Sequence, residues 1–373
     1  MRTRSGRDAA RGGADAAAGR ASGERHTARH TVGGRRLVLG KDGRLTAYAR
    51  TDDGLLRWTE LRPGGPQWTG PEFFPVADLS DLTVVQGADS YVHFLGRREV
   101  RRADGPPAVD IVHAIQYQTG RPVTEWRSLG NAHQDREKAA RFGAPAGAVS
   151  GSGRVYVFAR NAGGGVMLRR EAPTGKWEAW QDLKGSQVRD GMAAVVHDSG
   201  RIELFAAGEG IAMRWQQEAP DGEFRREPNV PLRVAPGTAA ALPTGPERVT
   251  YYWADPDQGG LVAHRPGQWV IPIGGAPDGE PVSALRAELD GYDCTVLAHR
   301  DLDWQVSFAV CGTENEQAGV WWTPTGERAL GAPALALDGH GRVVVAVIDP
   351  DGRLRVARQA DTPGLSLGAW VRV

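Results

Sequence analysis

Short apolar runs alternate with polar turns along most of the chain, and they do so in one repeating order. A strand of small apolar residues comes first: RLVLG, LTVVQG, GAVSG, MAAVVH, AAALP, SALRA, ALALD. A turn follows, usually ending in glycine (Gly43, Gly153, Gly200, Gly341), which tolerates the positive φ of a tight hairpin. A second strand then opens on an anchor residue. It is arginine in five copies (Arg44, Arg154, Arg201, Arg248, Arg342), while Tyr91 and Asp293 fill the two gaps. A polar turn, a third strand and a segment bearing a large aromatic complete the unit.

The anchors are 47, 63, 47, 47, 45 and 49 residues apart. An all-strand repeat of about 40–50 residues is the signature of a β-propeller blade. The pattern therefore predicts an all-β chain, a seven-bladed β-propeller of four-stranded antiparallel blades. The blades fall at about 34–80, 81–142, 143–190, 191–236, 237–281, 282–331 and 332–373. The innermost strands are rich in Ala and Gly because seven of them must converge on a narrow channel. Residues 1–33 are rich in Arg, Ala and Gly, with no large apolar residue between Met1 and Val32, and are expected to be a disordered tail. Ring closure is expected from packing of blade 7 on blade 1, with a strand borrowed from residues 27–33 as the alternative.

Composition narrows the function. Lys+Arg and Asp+Glu are both 45, so no global charge points to nucleic acid or to an anionic membrane. No run approaches a membrane span, and the N-terminus lacks the apolar core of a secretory signal. The expectation is a cytoplasmic protein or one exported by a non-classical route. Tryptophan is frequent, at 12 residues, which suits both carbohydrate binding and packing between blades. One aromatic recurs late in each blade (Trp68, Trp126, Trp180, Phe224, Trp269, Trp321/Trp322, Trp370), and its regularity predicts a packing wedge.

Blade 2 is longer than the rest, and the excess fits the stretches 100–110 and 131–141, the second with one helical turn. Long loops on a rigid scaffold often carry function, here a possible protein contact. In blade 6 the turn DLD predicts pairs summing to 605, which sets Cys294 opposite Cys311, as a disulfide or as two reduced neighbours. His197 and His340 fall near first hairpin turns, where a metal would need several histidines to converge; no metal or cofactor is expected.

Several blades combine a third strand ending in Gln or Glu, a Pro/Gly turn and a Trp, as in MLRREAPTGKWEAWQDLKG (167–185), MRWQQEAPDGEF (213–224) and IVHAIQYQTGRPVTEWRSLG (111–130). With GRVYVFARNAGGG (153–165), this resembles the seven-bladed PLL-type bacterial lectins, relatives of the tectonin-like fucose-binding propellers. The resemblance implies glycan sites in clefts between blades, where an aromatic face stacks on the sugar and polar groups bind its hydroxyls. On this chain it points to Trp58, His113, Trp215 and His264 on third strands, with Arg57, Arg169 and Arg214 as nearby donors, and to Tyr252 and Trp253. The third strands vary (LRW, HAI, LRR, MRW, VAH, VSF, LRV), so one or two sites, or none, are expected rather than seven.

Asp boxes of sialidase propellers, WD40 dipeptides, kelch glycines, G-x-S-x-G, H-E-x-x-H and Walker A are all absent from the sequence. The expectation is a non-catalytic glycan-binding propeller. The alternatives are a protein-interaction scaffold using the blade 2 loops, and a lyase or hydrolase with its site at the channel mouth.

Overall fold

The computed structural model describes residues 26–373. They form seven four-stranded antiparallel blades in a ring, blade 2 carrying a fifth, two-residue parallel strand from the lead-in chain. The innermost strands are Leu37–Leu39, Leu79–Gln86, Ala146–Val149, Ala193–Val196, Ala240–Gly245, Ser283–Leu289 and Ala334–Leu337. They line a central channel of about 1190 Å³. The first hairpin turn of each blade lies at one face of the ring, the turn face; the innermost strands start at the other, the entry face. Second strands run back from the turn face, so a third strand ends beside the start of the second.

That neighbourhood explains the recurring Gln or Glu. Its side chain accepts the first backbone N–H of the second strand: Leu45 to Glu60 (2.8 Å), Val155 to Glu171 (3.2 Å), Ile202 to Gln217 (2.8 Å) and Val343 to Gln359 (3.1 Å). The hairpin leaves that donor without a ladder partner, and a buried N–H must find one. The anchor arginines reach across to the next blade: Arg201 pairs with Glu247, Arg248 with Glu314 (2.7 Å), and Arg342 donates to the Gly64 carbonyl (2.7 Å).

Side chains alternate between the two faces of each blade, and each face packs on a neighbour. In blade 4, Leu204 and Ala206 join a cluster with blade 3, while Phe205 and Ala207 join one with blade 5. The seams are locked by indoles whose Nε1 donates to the preceding blade: Trp180 to Leu129, Trp215 to Leu183 (2.9 Å), Trp253 to Arg233 (3.1 Å) and Trp322 to Ile273 (2.8 Å). Trp269 and Trp321 depart from the expected wedge. They are 92% and 75% exposed and stand on the surface.

Each blade is one continuous segment, and blade 7 packs on blade 1. The lead-in chain adds a latch. Residues 1–25, most of the expected tail, lie outside the described residues, but 26–34 are held against the ring by backbone hydrogen bonds and by buried Ala28 and Val32. Ala28 N donates to Gly352 in blade 7 (3.0 Å), His30 exchanges backbone hydrogen bonds with Arg50 in blade 1, and Gly33–Gly34 pairs in parallel with Thr83 and Val84 in blade 2. Blade 2 is extended by long strands, Val92–Val100 and Ala108–Gln116. A short helix, Arg136–Ala140, capped by Asp135, follows its outer strand.

The cysteines do not face each other. Cys294 opposes Gly312 and Thr295 opposes Cys311, so the pairs sum to 606. The one-residue shift sends the two thiols to opposite sides of the sheet, and both are free. Among the described residues, no helix is long and apolar enough to cross a membrane.

Candidate functional site

The ring distributes the residues singled out from the sequence over five seams. Trp58 lies between blades 7 and 1, Trp215 between 3 and 4, and Tyr252 between 5 and 6. Arg214, Trp253 and His264 meet between 4 and 5, and His113 lies between 2 and 3. Trp58, Trp215 and Trp253 are each 1% exposed and Tyr252 is 0% exposed. None of these rings offers a free face for stacking; they pack as the late aromatics were expected to do.

Several seams bury polar groups, Glu316 with Tyr252 and Arg265 and Glu60 with Arg358 among them, and two seams contrast most sharply. Between blades 4 and 5, Glu203 is the hub. It accepts from Arg214 Nε (2.6 Å), from His197 Nε2 (3.1 Å) and from the Tyr251 hydroxyl. Burial pushes the Glu203 carboxyl up, but the His197 hydrogen bond, the Arg214 charge and the Tyr251 hydroxyl outweigh it and hold it below its ordinary value. Tyr251 stacks on Phe205 at 4.4 Å, and His264 meets the edge of Trp253 at 5.9 Å. Burial, then the charges of Arg214 and Arg265, push the His264 imidazole down to about 4. His197, read from sequence as a channel-rim residue, is thus a buried donor to this carboxylate, while His340 stays exposed in its turn. No cluster of three or more His, Cys, Asp or Glu able to hold a metal occurs among the described residues.

Between blades 2 and 3 the seam is neutral. His93 Nδ1 and His113 Nε2 are 3.1 Å apart, and the rings are nearly parallel with centroids 5.3 Å apart. One imidazole donates and the other accepts, so the pair needs no charge. Burial dominates both titrations and lowers His93 to about 4 and His113 to about 3. Trp177 of blade 3 meets His113 edge-on at 5.3 Å, and His93 Nε2 is buried without a partner.

This seam reaches the surface through aromatic residues. Strand alternation puts Tyr91 on the same side as His93, and Tyr117 on the same side as His113. The tyrosines meet edge to face at 5.0 Å and are 38% and 50% exposed. An open aromatic pair therefore sits above a buried imidazole pair, with Asp89 beside Tyr91, while Thr119 turns the other way and donates to Asp42 of blade 1 (2.9 Å). Sequence reasoning found His113 but missed His93, Tyr117 and Trp177. The available signal was Tyr91, an aromatic standing where five blades carry an anchoring arginine.

No protein-family model and no curated protein matches the chain. Solved structures share the ring. A BP39L lectin from Burkholderia pseudomallei superposes with a TM-score of 0.66 at 15% identity, covering 92% of this chain and 99% of that one. A PL25 ulvan lyase bound to a glucuronate–sulfated rhamnose chain gives 0.56 at 11% identity, with 92% and 97% covered. A Hadza microbial sialidase gives 0.51 at 13% identity, covering 82% of this chain and 70% of that one. At these identities the likeness establishes the seven-bladed fold and leaves the site to be argued from its own residues.

Proposed function

We propose that the protein is a non-catalytic, lectin-like propeller of the PLL/tectonin-like type that recognises glycans at the turn-face opening of the seam between blades 2 and 3. The observation that carries this reading is the exposed Tyr91–Tyr117 pair above His93 and His113. Sugar C–H faces pack on aromatic rings, while hydroxyls need fixed donors and acceptors, and exposed Asp89 beside Tyr91 supplies an acceptor at the rim. The lectin among the structural neighbours supports the reading at the level of fold. Arg214, Trp253 and His264, together with Trp58, Trp215 and Tyr252, then serve as the walls that hold the blades in register. A broad glycan array of the folded protein tests the proposal. Binding that Tyr91→Ala or Tyr117→Ala abolishes is the expected result, and a blank array overturns it.

The imidazole pair favours a second reading, in which the same seam transfers protons during glycan cleavage. Burial lowers His93 to about 4 and His113 to about 3, so this reading requires the seam to open and the imidazoles to regain basicity when substrate enters. Incubation of every glycan retained on the array, followed by mass analysis, separates the two: intact glycans sustain the binding reading, and cleaved ones that survive with His93→Gln redirect the site elsewhere.

A further inference from the structure

The lead-in chain brings a second, unassigned feature into the ring. Gly33 and Gly34 run beside Thr83 and Val84 at the entry face. Only glycine fits there: a Cβ on Gly33 would lie 2.9 Å from Thr83 Oγ1, and one on Gly34, at φ +67°, would lie 2.3 Å from the Val84 carbonyl oxygen. This close approach delivers Arg35 and Arg36 to the channel wall.

Neither arginine is neutralised. Among the described residues, no carboxylate oxygen lies within 4.0 Å of either guanidinium. Arg36 makes one side-chain hydrogen bond, to the Pro333 carbonyl at 3.3 Å, and its Nε is buried without a partner. Arg50 and Arg189 line the same mouth. The acids there pair with other groups: Asp190 with Arg160 at 2.9 Å, through one oxygen and with Oδ1 left unpartnered, and Asp81 with Ser80 at 2.9 Å and Arg97 at 4.0 Å. The Glu280 charge is felt by Arg36, but Glu280 faces Arg300 at 3.6 Å. Asp198 lines the far end of the channel. The wall between is apolar (Ala146, Ala148, Ala193, Ala240, Ala334, Ala336), so nothing local screens the cations. Arg35 is exposed to the water of the channel, while the half-buried Arg36 is pushed down to about 10 by burial, only partly offset by the Glu280 charge.

We propose that the entry mouth of the channel is an oxyanion site, in which Arg35 and Arg36 hold a phosphate, sulfate or carboxylate group. Guanidinium forks match such anions with paired, charge-assisted hydrogen bonds. The anion enters either free or as the acidic end of a larger molecule. The site lies on the face opposite Tyr91 and Tyr117 and does not depend on the glycan reading.

The test is thermal unfolding of the full chain in inorganic phosphate and in chloride at matched ionic strength. A ligand that binds only the folded state raises Tm with its concentration. The expected result is a rise of several degrees in phosphate that the double variant R35Q/R36Q loses and R62Q, on the turn face, keeps. A parallel arm with a sulfated monosaccharide separates the sources: a rise with free ions alone assigns a free anion, and a rise with the ester as well assigns an acidic end group. Should the double variant not fold, arginine-selective modification of the wild type, mapped by mass spectrometry, gives the same answer through protection of Arg35 and Arg36 by phosphate. Equal Tm in phosphate and chloride, a phosphate rise undiminished in R35Q/R36Q, or modification of both arginines unslowed by phosphate overturns the proposal.

Discussion

The seam between blades 4 and 5 and the seam between blades 2 and 3 occupy equivalent places in the ring but solve the problem of buried polar groups in opposite ways. The first buries a charge and surrounds it: Glu203 receives Arg214, His197 and Tyr251. The second buries no charge, because His93 and His113 share one proton between facing nitrogens and leave His93 Nε2 open. The ionic hub ties two blades together through charge, even with His197 Nδ1 and His264 Nδ1 left unpartnered beside it. The neutral pair holds its seam without charge and opens at the rim onto two exposed tyrosines.

Breaking the hub gives the largest effect. Glu203→Leu strands the buried guanidinium of Arg214, and removing one partner of a buried pair costs about 3–5 kcal/mol. Denaturant unfolding is expected to show that loss, with Glu203→Leu/Arg214→Met recovering most of it. The equivalent cut in the other seam, His113→Phe, leaves no orphaned charge. Its expected loss is smaller, about 1–2 kcal/mol from one unmet hydrogen-bonding nitrogen on His93. Equal losses would erase the distinction between the seams.

Acid separates them next. The folded chain holds His93 at about 4 and His113 at about 3, against an ordinary histidine value of 6.5. Between these limits the unfolded chain binds more protons, so stability is full above pH 6.5 and falls as pH drops toward 4. At pH 5 the expected loss is about 2 kcal/mol per imidazole, with His264 contributing in the same direction. Glu203 acts lower: its depressed carboxyl adds stability above its unfolded pKa that is lost only as pH falls through the folded one. Unfolding at pH 7 and pH 5 is therefore expected to differ strongly in the wild type and less in His113→Phe. An unchanged difference would show that the imidazole pair is not what acid attacks.

Much of this architecture could be read in advance because it rests on local chemistry. Turn glycines, anchor arginines and the spacing between them report hairpins, and seven hairpins of one design imply the ring. The recurring Gln or Glu was visible too, although its purpose, accepting the first N–H of the second strand, needed coordinates. Side-chain destination is another matter. Whether a ring on a third strand packs in a seam or stands at its rim depends on its register and on its height along the blade. A shift of one residue reverses the face, as Cys294 and Cys311 illustrate. That is why Trp58, Trp215 and Trp253, chosen as open platforms, proved to be buried wedges, while Trp269 and Trp321 proved exposed.

The Gln or Glu bond sharpens the contrast from the side of regularity. Gln217→Ala removes the acceptor of the Ile202 N–H and is expected to lower stability by about 1 kcal/mol. The corresponding change at Gln116 differs in kind, because its Oε1 accepts from Tyr48 (3.1 Å) and Arg57 (2.6 Å) in blade 1. Loss there is expected to loosen the seam between blades 1 and 2, seen as faster amide exchange in Leu45–Arg50 than in the second strand of blade 4.

The smallest stability effect belongs to the residue expected to matter most for binding. Tyr117 is 50% exposed and its ring meets that of Tyr91, so Tyr117→Ala is expected to move stability by about 0.5 kcal/mol or less. Trp269 is the proper control: a larger ring, 92% exposed, on the surface of blade 5. If exposed aromatic area alone held a glycan, Trp269→Ala would weaken retention on an array as much as Tyr117→Ala. If the paired tyrosines act together, Tyr117→Ala lowers affinity about tenfold or more while Trp269→Ala leaves it unchanged. The comparison then turns on the edge-to-face tyrosine pair that the blade 2–3 seam holds at its rim.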